Sequence, residues 1–84
     1  MTFDRASRRR LVTRLAYRRH RHPSEPFDRV FSAALRPFSM RPGRVPRAAE
    51  GRATYYAVLA VVAAVLSHET SDAIDRLREA EEGT

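Results

Sequence analysis

Residues 53–66 read ATYYAVLAVVAAVL. This is the one stretch of the chain without charge and almost without polarity. Within it Tyr55, Val58, Leu59, Val62, Val65 and Leu66 fall on one wide helical face, and Ala53, Ala57, Ala60 and Ala64 form a stripe on another. A helix with a large apolar face must be covered by other elements. The stretch is fourteen residues long with Arg52 and His68 close outside it, whereas a membrane span takes about 20 apolar residues. It therefore reads as the central helix of a small bundle, expected over 47–67, and not as a membrane anchor. Its alanine stripe lets another backbone approach closely, so Ala53, Ala57, Ala60 and Ala64 are the candidate docking seam for a neighbouring subunit.

Two amphipathic segments precede it. Leu11, Val12, Leu15 and Ala16 recur as one face of a helix expected over 3–21, with Thr2 as its cap and Asp4 in its first turn. Arg10, Arg14, Tyr17 and Arg21 follow on the other side, and Arg8, Arg9, Arg18 and Arg19 broaden the basic surface. A second helix is expected over 25–36. Ser24 can cap it, Pro26 is tolerated in a first turn, and Phe27, Val30, Phe31, Ala34, Leu35 and Phe38 recur at helical spacing. Pro37 ends that helix and leaves Phe38 to pack on the core.

Residues 37–46 hold three Pro and one Gly and read as a loop. Arg41, Arg44 and Arg47 recur there every third residue, a spacing that aligns guanidiniums on one side of an extended polyproline-like segment. Gly51, inside the third helix, reads as a weak spot worth about 1 kcal/mol against Ala. Beyond it, Ser71 starts a short acidic helix expected over 71–82, in which Ala73, Ile74, Leu77 and Ala80 share a face. The fold expected is thus all-α: one domain, 1–84, of three to four helices around a central apolar one. No strand pattern and no internal repeat are visible.

The charge is distributed unevenly. Residues 1–22 hold eight Arg against one acid, residues 23–52 six Arg against three acids, and residues 53–84 two Arg against six acids. A basic front and an acidic tail point to an anionic partner for the front. Every basic residue is Arg, which suits bidentate phosphate contact and stacking on bases. A GC-rich genome also favours Arg, Ala, Pro and Val, but it does not crowd Arg into the first 22 residues. With 84 residues and no Cys, the chain forms no disulfide or thiolate metal site and buries only roughly 60% of its unfolded surface. It is expected to lean on a partner. Absent Cys and no visible leader fit a cytoplasmic protein.

Catalytic chemistry is not expected. His68, Glu69 and Asp72 resemble half of a helical zinc site, but a catalytic zinc needs a third protein ligand, and His20 and His22 sit far off among arginines. These two histidines are read as extending the basic surface. Three Gly in the whole chain cannot build a phosphate-cradling loop. No metal or cofactor is expected. What remains is basic surface with interleaved aromatics: Arg8, Arg9, Arg10, Arg14, Arg18, Arg19, Arg21, Arg41, Arg44, Arg47 and Arg52 against phosphates, and Tyr17 against a base.

The order of features adds one resemblance. A Phe-containing helix leads into Leu35-Arg36-Pro37-Phe38. A basic Pro-rich turn follows, then an Ala-rich helix with Arg52, Tyr55, Tyr56 and Leu59 that ends at Ser67-His68. From about Phe27 to His68 this resembles the N-terminal half of the small subunit of the type I-E CRISPR Cascade complex. That family is all-helical, usually present in two copies, and lies along an RNA-guided assembly. The resemblance implies a basic surface that stabilises the guide RNA–target DNA hybrid or the displaced strand, among other protein subunits and away from membranes. It carries no catalytic residue over, and the second helical bundle of that family has no counterpart here. The expected function is a non-enzymatic subunit binding RNA or single-stranded DNA without sequence preference. The alternatives are a small basic adaptor docking an acidic protein and a protein lying on a membrane surface.

Overall fold

The computed structural model describes residues 3–67. It contains α1 (Arg5–Arg21), α2 (Phe27–Leu35), a single 3-10 turn (Arg36–Phe38) and α3 (Ala49–Leu66). Helix accounts for 72% of the described residues and no strand occurs among them, so the all-α bundle is as expected. The acidic helix expected over 71–82 lies outside the described residues, as do Thr2, His68, Glu69 and Asp72.

α1 begins at Asp4, whose carboxylate accepts a hydrogen bond from the Ser7 N–H at 2.8 Å. Asp4 is therefore the cap itself and not a first-turn acid. Its side chain satisfies one of the orphan donors that every helix start exposes. That bond, with a second contribution from the Ser7 side chain, holds the Asp4 carboxyl below its ordinary value. At the other end the His22 N–H closes on the Arg18 carbonyl at 2.8 Å, and Pro23 follows. Arg18, Arg19, His20 and Arg21 fill the last turn, where cations suit the negative end of the helix.

Only Leu11 and Leu15 of α1 are buried. Val12 and Ala16, expected on the same face, are exposed. The buried stripe is one residue wide because Val12 turns into a groove beside α3 and not into the core.

α2 starts two residues later than its expected onset. Pro26 occupies the cap position in extended backbone, and no side chain caps the helix, Ser24 included. The preceding residues are spent on a turn in which the Glu25 N–H meets the His22 carbonyl at 3.2 Å. Val30, Phe31, Ala34 and Leu35 are buried, while Phe27 stays at the rim against Phe31, ring centres 5.8 Å apart. Pro37 cannot continue an α-helix from Leu35. The chain tightens into the 3-10 turn and stops at Ser39 in the left-handed region (φ 58°). Phe38 is left half-buried on the core, as expected, and Phe3 meets it edge-on at 5.8 Å. This contact joins the end of the α2 segment to the start of α1, so the two helices run antiparallel.

The Pro-rich segment does not form an extended rod. Arg41 and Arg44 pair as an isolated β-bridge around Pro42-Gly43, with the Arg44 N–H on the Arg41 carbonyl at 3.2 Å. Pro second and a positive-φ Gly third (φ 83°) is the pattern of a type II turn. The Gly43 N–H then donates to the Tyr55 hydroxyl at 2.9 Å. The chain folds back here because Tyr55 anchors the turn to α3.

α3 packs against both other helices. Val58, Val62 and Leu35 have no exposed surface and mark the centre of the core. Thr54, Tyr55 and Val61 are buried beside them, and Leu59, Val65 and Leu66 pack at the edge. Tyr55 meets Phe31 edge-on at 5.3 Å. Each buried Val or Leu contributes about 1.5–3 kcal/mol relative to exposure. By length and composition α3 is apolar enough to cross a membrane. The core helix of a small bundle meets the same criteria.

Candidate nucleic-acid interface

Residues 3–67 hold fourteen of the sixteen Arg, against Asp4, Glu25, Asp28 and Glu50, in a chain of net charge +6. α1 carries eight of these arginines, and burying only Leu11 and Leu15 leaves most of its circumference for them. The geometry sorts the expected residues into groups with different prospects.

Arg14, Tyr17, Arg18 and Arg21 are brought together. With His22 and Glu25 they line an open cleft of about 530 Å3 whose floor is Leu11, Leu15, Ala33 and Ala34. The apolar floor comes from α1 and α2, and the cationic rim from the second half of α1. Tyr17 is 63% exposed. The Arg21 guanidinium donates to the Tyr17 hydroxyl at 2.9 Å and lies 5.8 Å from the ring centre. An exposed ring of this kind can stack on a base, and the adjacent guanidinium suits a phosphate.

Arg18 plays a different part from the one expected. Its Nε and Nη2 donate to the two carboxylate oxygens of Glu25 at 2.6 and 2.8 Å. This two-pronged contact holds the 22–26 connection against the end of α1 and pulls the Glu25 carboxyl below its ordinary value. Arg18 thus has its charge compensated and positions the cleft. The sequence reading missed Glu25, which lies seven residues on and beyond Pro23, outside any helical spacing. His22, expected only to extend the basic surface, also lines the cleft.

Arg9, Arg10, Thr13 and Arg14 border a second, shallow surface depression. There the Arg10 guanidinium donates to the Ser7 hydroxyl at 3.2 Å. Arg8 lies over the Phe3 ring at 6.0 Å and borders a groove between α1 and α3 with Val12, Ala57, Ala60, Val61, Ala64 and Val65. Arg19 is half-buried. Arg41, Arg44, Arg47 and Arg52 are exposed and line none of these grooves. The expected comb of Arg41, Arg44 and Arg47 is replaced by two arginines across a turn and one beyond it. Of the alanine seam, Ala53, Ala60 and Ala64 are exposed and Ala57 is half-buried.

Among the described residues no three His, Asp or Glu side chains come together as a metal site. No buried side-chain N or O there lacks a hydrogen-bond partner. The arrangement offers guanidiniums, one open aromatic ring and an apolar floor, which is equipment for holding an anion. No family model, no curated protein and no solved structure matches the chain.

Proposed function

We propose that this protein is a non-enzymatic, nucleic-acid-binding helical subunit of a ribonucleoprotein assembly. Its α1 face grips the phosphate backbone of RNA or single-stranded DNA without reading sequence. The observation that carries this reading is the cleft in which Arg14 and Arg21 flank the exposed ring of Tyr17. Guanidiniums neutralise phosphates, and a ring among them accepts any base by its π-face. The likeness of residues 27–68 to a Cascade small subunit extends the proposal to an RNA-guided antiviral complex in the cytoplasm, with other protein subunits as partners and more than one copy present.

The test is fluorescence anisotropy with labelled single-stranded RNA and DNA across a salt series. With four to five phosphates neutralised, the logarithm of affinity falls with that of salt with a slope of about −3, at about −0.7 per phosphate. Arg14→Glu with Arg21→Glu abolishes binding. Flat salt dependence, or no binding near micromolar at low salt, rejects the reading. A second reading, a basic adaptor for an acidic protein, draws on the Arg18–Glu25 contact, in which this face already holds a carboxylate. Polyglutamate of matched charge distinguishes the two: binding it as tightly as RNA favours the adaptor.

A further inference from the structure

α1 carries arginines on more than one face, and only one of these faces borders the cleft. Arg14, Tyr17 and Arg21 line the cleft beside α2. Arg5, Arg8 and Val12 recur at i, i+3 and i+7 on a different face. There Arg8 and Val12 border an open groove of about 490 Å3 with Ala57, Ala60, Ala64 and Val65 of α3. The cleft and the groove share no residue.

The groove opens onto the uncovered side of α3. Five of the eighteen residues of this helix are buried, although its whole length is apolar enough to cross a membrane. Ala53, Ala60, Ala63 and Ala64 are exposed, and Tyr56 is 51% exposed. With Val12, 41% exposed, they form a strip along residues 53–66, which carry no charge and span about 20 Å at 1.5 Å per residue. Exposed arginines edge this strip, Arg5 and Arg8 on α1 and Arg52 at its head. The one acid of α3, Glu50, precedes the strip and borders a separate hollow with Phe38 and Met40.

An occupant of such a strip must accept apolar contact and bring negative charge to its edge. A second copy fails on charge. Twofold pairing through this face sets the same arginines of both copies along one seam, in chains of net charge +6. A nucleic acid gains nothing from an apolar strip, since its affinity comes from phosphates. A protein partner presents polar groups that need pairing, and the groove walls offer only Arg8. The surface of an anionic bilayer meets both demands. Acyl chains ask for no hydrogen bonds, headgroup phosphates take arginines, and a tyrosine ring suits the headgroup level. We propose that the protein docks on anionic membrane surfaces through this strip. Val12, Tyr56, Ala60 and Ala64 face the acyl boundary, and Arg5, Arg8 and Arg52 meet the phosphates. α3 lies along the surface and does not span it, because its opposite face, with Val58 and Val62, is buried in the core. This activity goes beyond nucleic-acid binding and does not rest on it.

The test is co-sedimentation of the full chain with vesicles of equal parts phosphatidylglycerol and phosphatidylcholine, beside vesicles of phosphatidylcholine alone. Binding to the first is expected to be tighter by about tenfold or more. Val12→Gln with Ala60→Gln and Ala64→Gln alters no charge and touches only exposed positions. It is expected to weaken vesicle binding on the order of tenfold and to leave the affinity for single-stranded RNA unchanged. Equal loss on both ligands assigns the strip to nucleic acid and overturns the proposal. Vesicle binding that survives these substitutions overturns it too, because charge alone then holds the protein. So does a failure to bind the anionic vesicles, whether or not the chain pairs through this face. A second measurement reads orientation. The chain has no Trp, so Tyr56→Trp is a single reporter that keeps an aromatic ring in the strip. Its emission is expected to shift to the blue on the anionic vesicles, and by more than that of Tyr17→Trp. An equal or larger shift from position 17 turns the cleft to the membrane and overturns the proposal.

Discussion

At the scale of single residues, Gly51 shows how a neighbour remote in conformation changes the meaning of a side chain. From sequence, a glycine in the first turns of a helix is a defect that Ala would repair. In the structure a Cβ at position 51 would sit 2.9 Å from the Pro46 Cβ and 3.3 Å from its Cγ. The proline ring that ends the loop lies against α3 at that point. Gly51→Ala is therefore expected to give no net stabilisation in urea unfolding, because the helix-propensity gain of about 1 kcal/mol is offset by displacing Pro46. A gain of about 1 kcal/mol would refute the packing argument. Tyr55 makes the same point. Its place on the apolar face was plain from spacing, but its hydroxyl anchoring the Gly43 N–H was not. A hydrogen bond twelve residues away across a turn has no signature in periodicity.

At the scale of elements, helix interiors were legible and helix ends were not. Val58 and Val62 in α3, and Val30, Phe31, Ala34 and Leu35 in α2, are buried where the 3.6-residue period puts them. The starts shifted two residues on, to Arg5 for α1, Phe27 for α2 and Ala49 for α3, and only at α1 does a capping side chain, Asp4 on the Ser7 N–H, account for where the helix begins. The connection after α1 is held by Arg18 and Glu25, and this gives it a pH dependence. Glu25 titrates below its ordinary 4.5, chiefly through the hydrogen bonds from Arg18. A carboxyl lowered in the folded state adds stability above its unfolded value and loses it as pH falls through the folded one. Asp4 shifts in the same direction through Ser7. Glu25→Gln is expected to lower the melting temperature modestly at pH 7, as befits a partly solvated pair. The gap to the unmodified chain should close as pH falls below about 4.5. A gap that widens in acid would contradict the assignment.

At the scale of the whole molecule, the dominant fact is the unbalanced charge. The chain's net charge of +6, crowded into its first half, repels itself at low ionic strength. Salt shortens the screening distance to about 10 Å at 0.1 M. The melting temperature is accordingly expected to rise between about 20 and 300 mM sodium chloride, while affinity for nucleic acid falls over the same range. Thermal melts beside the anisotropy series check the opposed signs. A melting temperature that falls with salt would mean that attractive ion pairs outweigh the repulsion.

The amino-acid sequence by itself determined the all-α class, the central place of α3, the basic character of α1 and the core positions Leu11, Leu15, Val30, Phe31, Ala34, Leu35, Tyr55, Val58 and Val62, but neither the exposure of Val12 and Ala16 nor the burial of Thr54 and Val61. These follow from composition and from a period that each helix carries within itself. Only the tertiary structure decided which arginines share a site. Arg14, Tyr17 and Arg21 share a cleft with Ala33 and Ala34 because α1 and α2 both pack on α3, whereas Arg41 and Arg44 stand exposed on the turn tied to Tyr55. It also converted the alanine stripe of residues 53–66 from a seam along one helix into one wall of a groove, with Val12 as the other. The physical reason is the same throughout: periodicity reports which face of an element is apolar, and only packing reports what that face meets.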